Sequence, residues 1–132
     1  MVRHILTLSV SETDEIISGT KQFIFKFFKK RPVFLSNVNS GDLVYFKINK
    51  GEVLGQFEIG KLIVAQKLEA GDWNWIKEIG KPAEFGLTKS EFEEKANMDK
   101  TLVIVQIIKL EQFITPPIEI DKRSKKEWIV LD

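Results

Sequence analysis

In this 132-residue sequence the side chains whose types and spacing best suit chemistry gather in a handful of places. The densest is the run Lys21 to Arg31, KQFIFKFFKKR, with five basic residues, four Phe and no acid. Cations interleaved with rings suit a nucleic-acid surface, where ammonium and guanidinium groups meet phosphates and rings stack on bases. The same run suits a strand with core Phe and solvated Lys, and rows of exposed Phe would be a liability for a soluble chain. The phenylalanines are therefore expected in the core, while Lys26, Lys29, Lys30 and Arg31 stand as candidate contacts. Lys21 and Glu58 form a second candidate set. They would make either an ion pair across neighbouring strands, or a donor for phosphate or a base edge beside an acceptor for an exocyclic amine. Trp73 and Trp75 in GDWNWIK share a face if extended and separate if helical, so they would either stack a base or plug a barrel end. His4, at the head of the first strand, is expected on the surface or half-buried, without chemistry. The KRSKK run at Lys122 to Lys126 reads as a phosphate contact or a solvated loop.

Composition removes much else. The chain has no Cys and one His, so disulfides, thiolate metal sites, cysteine nucleophiles and multi-histidine metal centres are not available. No cofactor or metal is expected. Lys and Arg number 20 against 19 Asp and Glu, a net charge of +1, so any attraction for nucleic acid must come from a local patch. The first 66 residues hold 9 basic and 6 acidic groups and the remainder 11 and 13, which places the surplus in the N-terminal half. No stretch approaches the roughly 20 apolar residues of a spanning helix. The beginning MVRHILTLSVSETDE lacks the features of a secretory signal, so a soluble, cytoplasmic protein with no membrane partner is expected.

The elements that must position these residues follow from periodicity. His4 to Val10 alternates and reads as a strand, followed by a short helix capped by Ser11 or Thr13 and ended at Ser18-Gly19. Gln22 to Phe28 is a strand with Phe23, Phe25 and Phe27 on one face and Ile24, Lys26 and Phe28 on the other. LVYFKI after a Ser-Gly-Asp turn is a strand. Glu52 to Gln66 is a long or bent strand with Gly55 and Gly60 at bulges or close approaches. Texture changes at Gly71, where a short helix or irregular crossover is expected. Thr88 and Glu91 form a capping box that opens a helix, and Thr101 to Phe113 is the strongest strand. Pro116-Pro117 end it, and Trp128 to Leu131 is a last short apolar segment. This is one domain of α+β class, a mixed β-barrel of five to six strands with two or three short helices.

The order of strand, short helix, Ser-Gly-Thr-Lys, aromatic strand and Gly-Asp-Leu-Val-Tyr strand resembles the ASCH family, small barrels of the PUA-like superfamily. The family signature is Gly-any-Lys-any-any-Glu-any-Arg after the first helix, Gly-Asp before the next long strand, and Gly-any-hydrophobic-Glu after that. Gly19 and Lys21, Gly41 and Asp42, and Gly55 with Glu58 match these positions. Ile24 replaces the motif Glu and Lys26 the motif Arg. The resemblance implies a cleft between the first helix and the barrel, lined by Lys21, Lys26, Glu58 and Tyr45 or a Trp, that binds RNA or another nucleic acid. Some bacterial relatives hydrolyse 4-acetylcytidine with a Lys, a Thr and a Glu. Lys21 and Glu58 match two of that set, but Ile24 offers no hydroxyl. Binding without catalysis is the leading expectation. A 4-acetylcytidine amidohydrolase or ribonuclease using Lys21 and Glu58 is the alternative, and a protein-interaction module a third.

Overall fold

The computed structural model describes residues 1–115 and 127–131. Along the chain run β1 (Arg3–Leu8), α1 (Val10–Ile17), β2 (Phe23–Phe28), β3 (Leu43–Ile48), β4 (Val53–Ala65), α2 (Trp73–Ile76), α3 (Pro82–Phe85), α4 (Lys89–Met98), β5 (Thr101–Gln112) and β6 (Trp128–Val130). The strands form one six-stranded sheet in the order β2-β5-β4-β3-β1-β6. β1 pairs parallel to β3, and the other neighbours are antiparallel. The sheet curls into a half-barrel, α+β in class, left open between the edge strands β2 and β6.

Period-2 alternation sends the two faces of β2 to different cores. Ile24 and Phe28 join Leu6, Val44, Phe46, Phe57, Val103 and Val105 inside the half-barrel, while Phe23, Phe25 and Phe27 pack under the helices with Trp73, Phe85 and Phe92. The expected division of the aromatic strand is therefore the observed one. Residues 70–85 fold as a 3₁₀ turn and two single-turn helices, and α4 begins at the expected capping box. There Thr88 Oγ1 accepts from the Glu91 amide at 3.2 Å and Glu91 Oε1 accepts from the Thr88 amide at 3.1 Å. α1 begins earlier than expected: its cap is Ser9, whose hydroxyl accepts from the Glu12 amide at 3.1 Å, and neither Ser11 nor Thr13.

Gly19 follows α1 with φ +82°, the left-handed conformation that glycine adopts without steric cost. Gly55 lies where a Cβ would sit 2.6 Å from both the Glu111 carbonyl oxygen and the Phe46 ring, so the close approach of β4 to its neighbours requires it. The register of β4 against β5 slips between Ile59 and Leu62, around Gly60.

His4 is a correction to the sequence expectation, because it is fully buried. Trp128 Nε1 donates to its Nδ1 at 3.2 Å, so the ring proton sits on Nε2 and is donated to Asp42 Oδ2 at 2.9 Å. This chain of bonds ties β6 to β1 and to the turn before β3. Burial opposes ionisation of Asp42, but the His4 hydrogen bond and the Asn39 and Val2 amides outweigh it and hold the carboxyl below its ordinary value.

Candidate functional site

The chain leaves α1, turns at Gly19 and enters β2, which brings Glu12 of the helix against Lys21 and Lys26 of the strand arm. Glu12 Oε2 accepts from Lys21 Nζ at 2.6 Å, and Glu12 Oε1 lies 3.8 Å from Lys26 Nζ. Lys26 Nζ in turn donates to Glu127 Oε1 at 2.5 Å, across the opening between β2 and β6. Charges thus alternate along Lys21, Glu12, Lys26 and Glu127. Both lysines are 8% exposed, so these ammonium groups are held nearly out of water and depend on their carboxylates.

Around this chain of charges lies an open cleft of about 390 Å³ at the edge of β2, bordered by Gly86 and Leu87 of the loop from α3 to α4. Phe25, Phe27 and Phe85 form its apolar wall, and Glu91, Lys95 and Asp99 its rim. Gly86, at φ +65°, lies so close that a Cβ there would stand 3.3 Å from Lys21 Nζ. Lys95 Nζ sits 5.4 Å from the centroid of the Phe27 ring, a cation–π distance. With Lys21, Lys26 and Lys95 facing Glu12, Glu91, Asp99 and Glu127, the cleft is of mixed charge, and its acids are Glu12, Glu91, Asp99 and Glu127 where the sequence suggested Glu58. The arrangement offers ammonium donors and carboxylate acceptors over a floor of phenylalanines that are themselves mostly buried.

The other candidates fall elsewhere. Glu58 and Lys21 do not pair. Phe57 and Ile59 point into the half-barrel, so Glu58 points outward, 3.4 Å from Lys109. Tyr45 alternates with Val44 and Phe46 and therefore lies on the opposite sheet face, with Ile5 and Val53. Trp73 is in the helical core, and Trp75, two positions on in α2, is half-buried with its Nε1 donating to Asp72 Oδ1 at 3.0 Å; the two do not form a stacking pair. Lys29, Lys30 and Arg31 are exposed where β2 ends. The KRSKK run and Pro116-Pro117 lie outside the described residues. Ile24 is fully buried in the half-barrel core.

Glu12 and Glu127, with Glu91, Lys95 and Asp99 around them, are site residues that sequence reasoning missed. Glu12 is the acid in the first turn of α1, where it also faces the positive end of the helix dipole. Its position nine residues before Lys21, across a glycine turn, was the available signal. Glu127 is 101 residues from Lys26, and nothing local announces that pairing.

This curled mixed sheet with helices packed over one edge has the fold of ASCH proteins of known structure. Two single-residue mutant forms of the ASCH protein from Zymomonas mobilis superpose with TM-scores of 0.64 and 0.66 at 11% identity, over 98% of this chain and 88% and 90% of theirs. A further structure of that protein gives 0.59 at 11% identity, over 83% of this chain and 69% of that one. No family model matches the sequence, and no curated protein matches it.

Proposed function

We propose that this ASCH-fold chain binds RNA or another nucleic acid, taking one base or nucleotide into the cleft between α1, β2 and the Gly86 loop. The observation that carries the reading is the alternation of Lys21, Glu12, Lys26 and Glu127 along a mainly polar cavity of about 390 Å³. That volume lies within the range of roughly 300–1,000 Å³ typical of small-ligand sites. The lysines donate to ring nitrogens and carbonyls, and the carboxylates accept from exocyclic amines. Exposed Lys29, Lys30 and Arg31, at the end of the same strand, supply phosphate contacts outside the cleft. Thr20, the hydroxyl nearest Lys21 in sequence, is exposed and bonded to Ser18 at 3.0 Å, and among the described residues no hydroxyl lines the cavity. This supports binding over attack by a protein nucleophile.

The test is binding of a single-stranded RNA oligomer across a salt series. Replacing Lys29, Lys30 and Arg31 together with Gln is expected to weaken binding and flatten the log–log salt slope by up to about 2, three phosphates at roughly 0.7 each. An unchanged slope would show that this segment is not part of the binding face. A second reading, hydrolysis of a nucleoside amide by water, draws on the 2.6 Å contact of Glu12 with Lys21: the carboxylate would take the water proton and the ammonium would hold the oxyanion. Acetate release from 4-acetylcytidine, lost in Glu12→Gln and Lys21→Ala but kept in Glu58→Gln, would put that reading first.

A further inference from the structure

The two carboxylates that hold Lys26 are unequal. Glu12 is 18% exposed and belongs to α1, whereas the Glu127 side chain is 56% exposed although it makes the shorter contact with Lys26, whose side chain is only 10% exposed. The Glu127 backbone is fixed independently of that contact. Its carbonyl accepts from the Thr7 amide at 2.8 Å, and the next residue, Trp128, is buried, stacked on Phe34 with ring centroids 5.3 Å apart and bonded to His4. Rotation about the Glu127 side-chain bonds alone therefore moves the carboxylate into water, with no change in β6. A carboxylate and a phosphate ester present the same feature to an ammonium group, an anionic oxygen that accepts a short charge-assisted bond.

We propose that the Lys26 ammonium is a phosphate site and that Glu127 is its built-in substitute, displaced when the phosphate of a ligand enters the cleft. The proposal deepens the nucleic-acid reading and rests on it for the identity of the ligand, though not for the anion site itself. Lys26 keeps Glu12 as a second partner throughout, so the exchange never strands a buried charge. The intact protein is selective by this means: an anion that cannot also use the cleft walls has to compete with a carboxylate already in place.

The experiment has two arms. In the first, thermal stability is followed with added sodium pyrophosphate at constant ionic strength for wild type, Glu127→Gln, Glu127→Gln with Lys26→Met, and Glu78→Gln, which makes the same charge change at an exposed position outside the cleft. Pyrophosphate is expected to raise the melting temperature of Glu127→Gln more than that of wild type or Glu78→Gln, with the extra gain abolished by Lys26→Met. In the second arm, Glu127→Gln is expected to bind the RNA oligomer about fivefold more tightly than wild type, the equivalent of releasing a partly exposed ion pair. If pyrophosphate stabilises Glu127→Gln no more than wild type, the proposal is overturned whatever the RNA arm gives. If it does so as expected while no form binds RNA, the anion site stands and the nucleic-acid reading falls.

Discussion

Removing the charge of Glu12 is the sharpest test of the cleft's electrostatics. Glu12→Gln keeps the shape and one acceptor oxygen but takes the anion from between two ammonium groups 2.6 and 3.8 Å away. Breaking a buried ion pair by removing one partner costs about 3–5 kcal/mol, because the other charge is left uncompensated. Here Lys21 and Lys26 are 9% and 10% exposed at the side chain, close to that limit, but Glu12 itself is 18% exposed and Lys26 retains Glu127. The amide also still accepts from Lys21. These offsets bring the expected loss to about 2–3 kcal/mol, including a few tenths from the lost interaction with the α1 dipole. With a urea m-value of about 1.5–2 kcal/mol/M, the midpoint should fall by about 1–2 M, followed by tryptophan fluorescence.

A double-mutant cycle separates this from a generic cost of substitution. Glu12→Gln with Lys21→Met removes both partners, so the double variant should be more stable than the sum of the single losses implies, with a coupling of at least about 1 kcal/mol. A Glu12→Gln loss below about 0.5 kcal/mol, or strictly additive single losses, would refute the argument that these lysines depend on Glu12.

Three further outcomes follow from buried polar groups elsewhere. Asp42→Asn should cost about 2–3 kcal/mol at neutral pH, since His4 and the Val2 and Asn39 amides lose a charged acceptor. Because the Asp42 carboxyl is held below its ordinary value, its contribution is complete above about pH 4 and fades as pH falls through the lower folded value, so urea unfolding against pH should lose that part of its acid limb in the variant. Burial pushes the Lys47 ammonium below its ordinary value, and Nζ donates to the Ile48 carbonyl at 3.3 Å. Its charge therefore opposes folding below the folded value, and stability should rise as pH climbs from there towards about 10.4, whereas Lys47→Met should be flatter and as stable or more so at pH 7. Among the described residues the buried Thr13 hydroxyl has no hydrogen-bond partner, so Thr13→Val should be neutral or raise stability by up to about 1 kcal/mol in the same unfolding assay.

Strands, turns and caps were legible in the sequence where the signal is local. The alternation of β2, the glycine at the end of α1 and the Thr88 to Glu91 box each require only neighbouring residues. Partnerships closed by the fold were not. His4 looked peripheral because its partners are 38 and 124 positions away. Tyr45 and Glu58 could have been placed better, since each alternates with core residues, Val44 and Phe46 or Phe57 and Ile59, and so must face away from the half-barrel interior. Matching Glu58 to a motif position drew it towards Lys21, and the pleat of β4 decides otherwise. The start of α1 was hidden because Val10, 62% exposed and β-branched, continues the alternation of β1 although it already opens the helix.

The departure at Ile24 and the presence of Glu12 are two sides of one arrangement. Position 24, where the ASCH signature carries Glu, faces Val105 across the β2–β5 ladder and is fully buried among aliphatic side chains. A carboxylate there would be costly unless a cation reached it, and isoleucine removes that demand. The same face carries Lys26 two residues on, at the opening, where its stem lies along the interior wall and its ammonium group still requires an anion. Glu12 reaches it from the helix, outside the core, and binds Lys21 with the same carboxylate. With isoleucine at position 24 and the acid on the helix, the half-barrel face of β2 holds no buried carboxylate, and the lysine–carboxylate pair stands at the cleft mouth, where, on the exchange proposed above, Glu127 gives way to a ligand's phosphate.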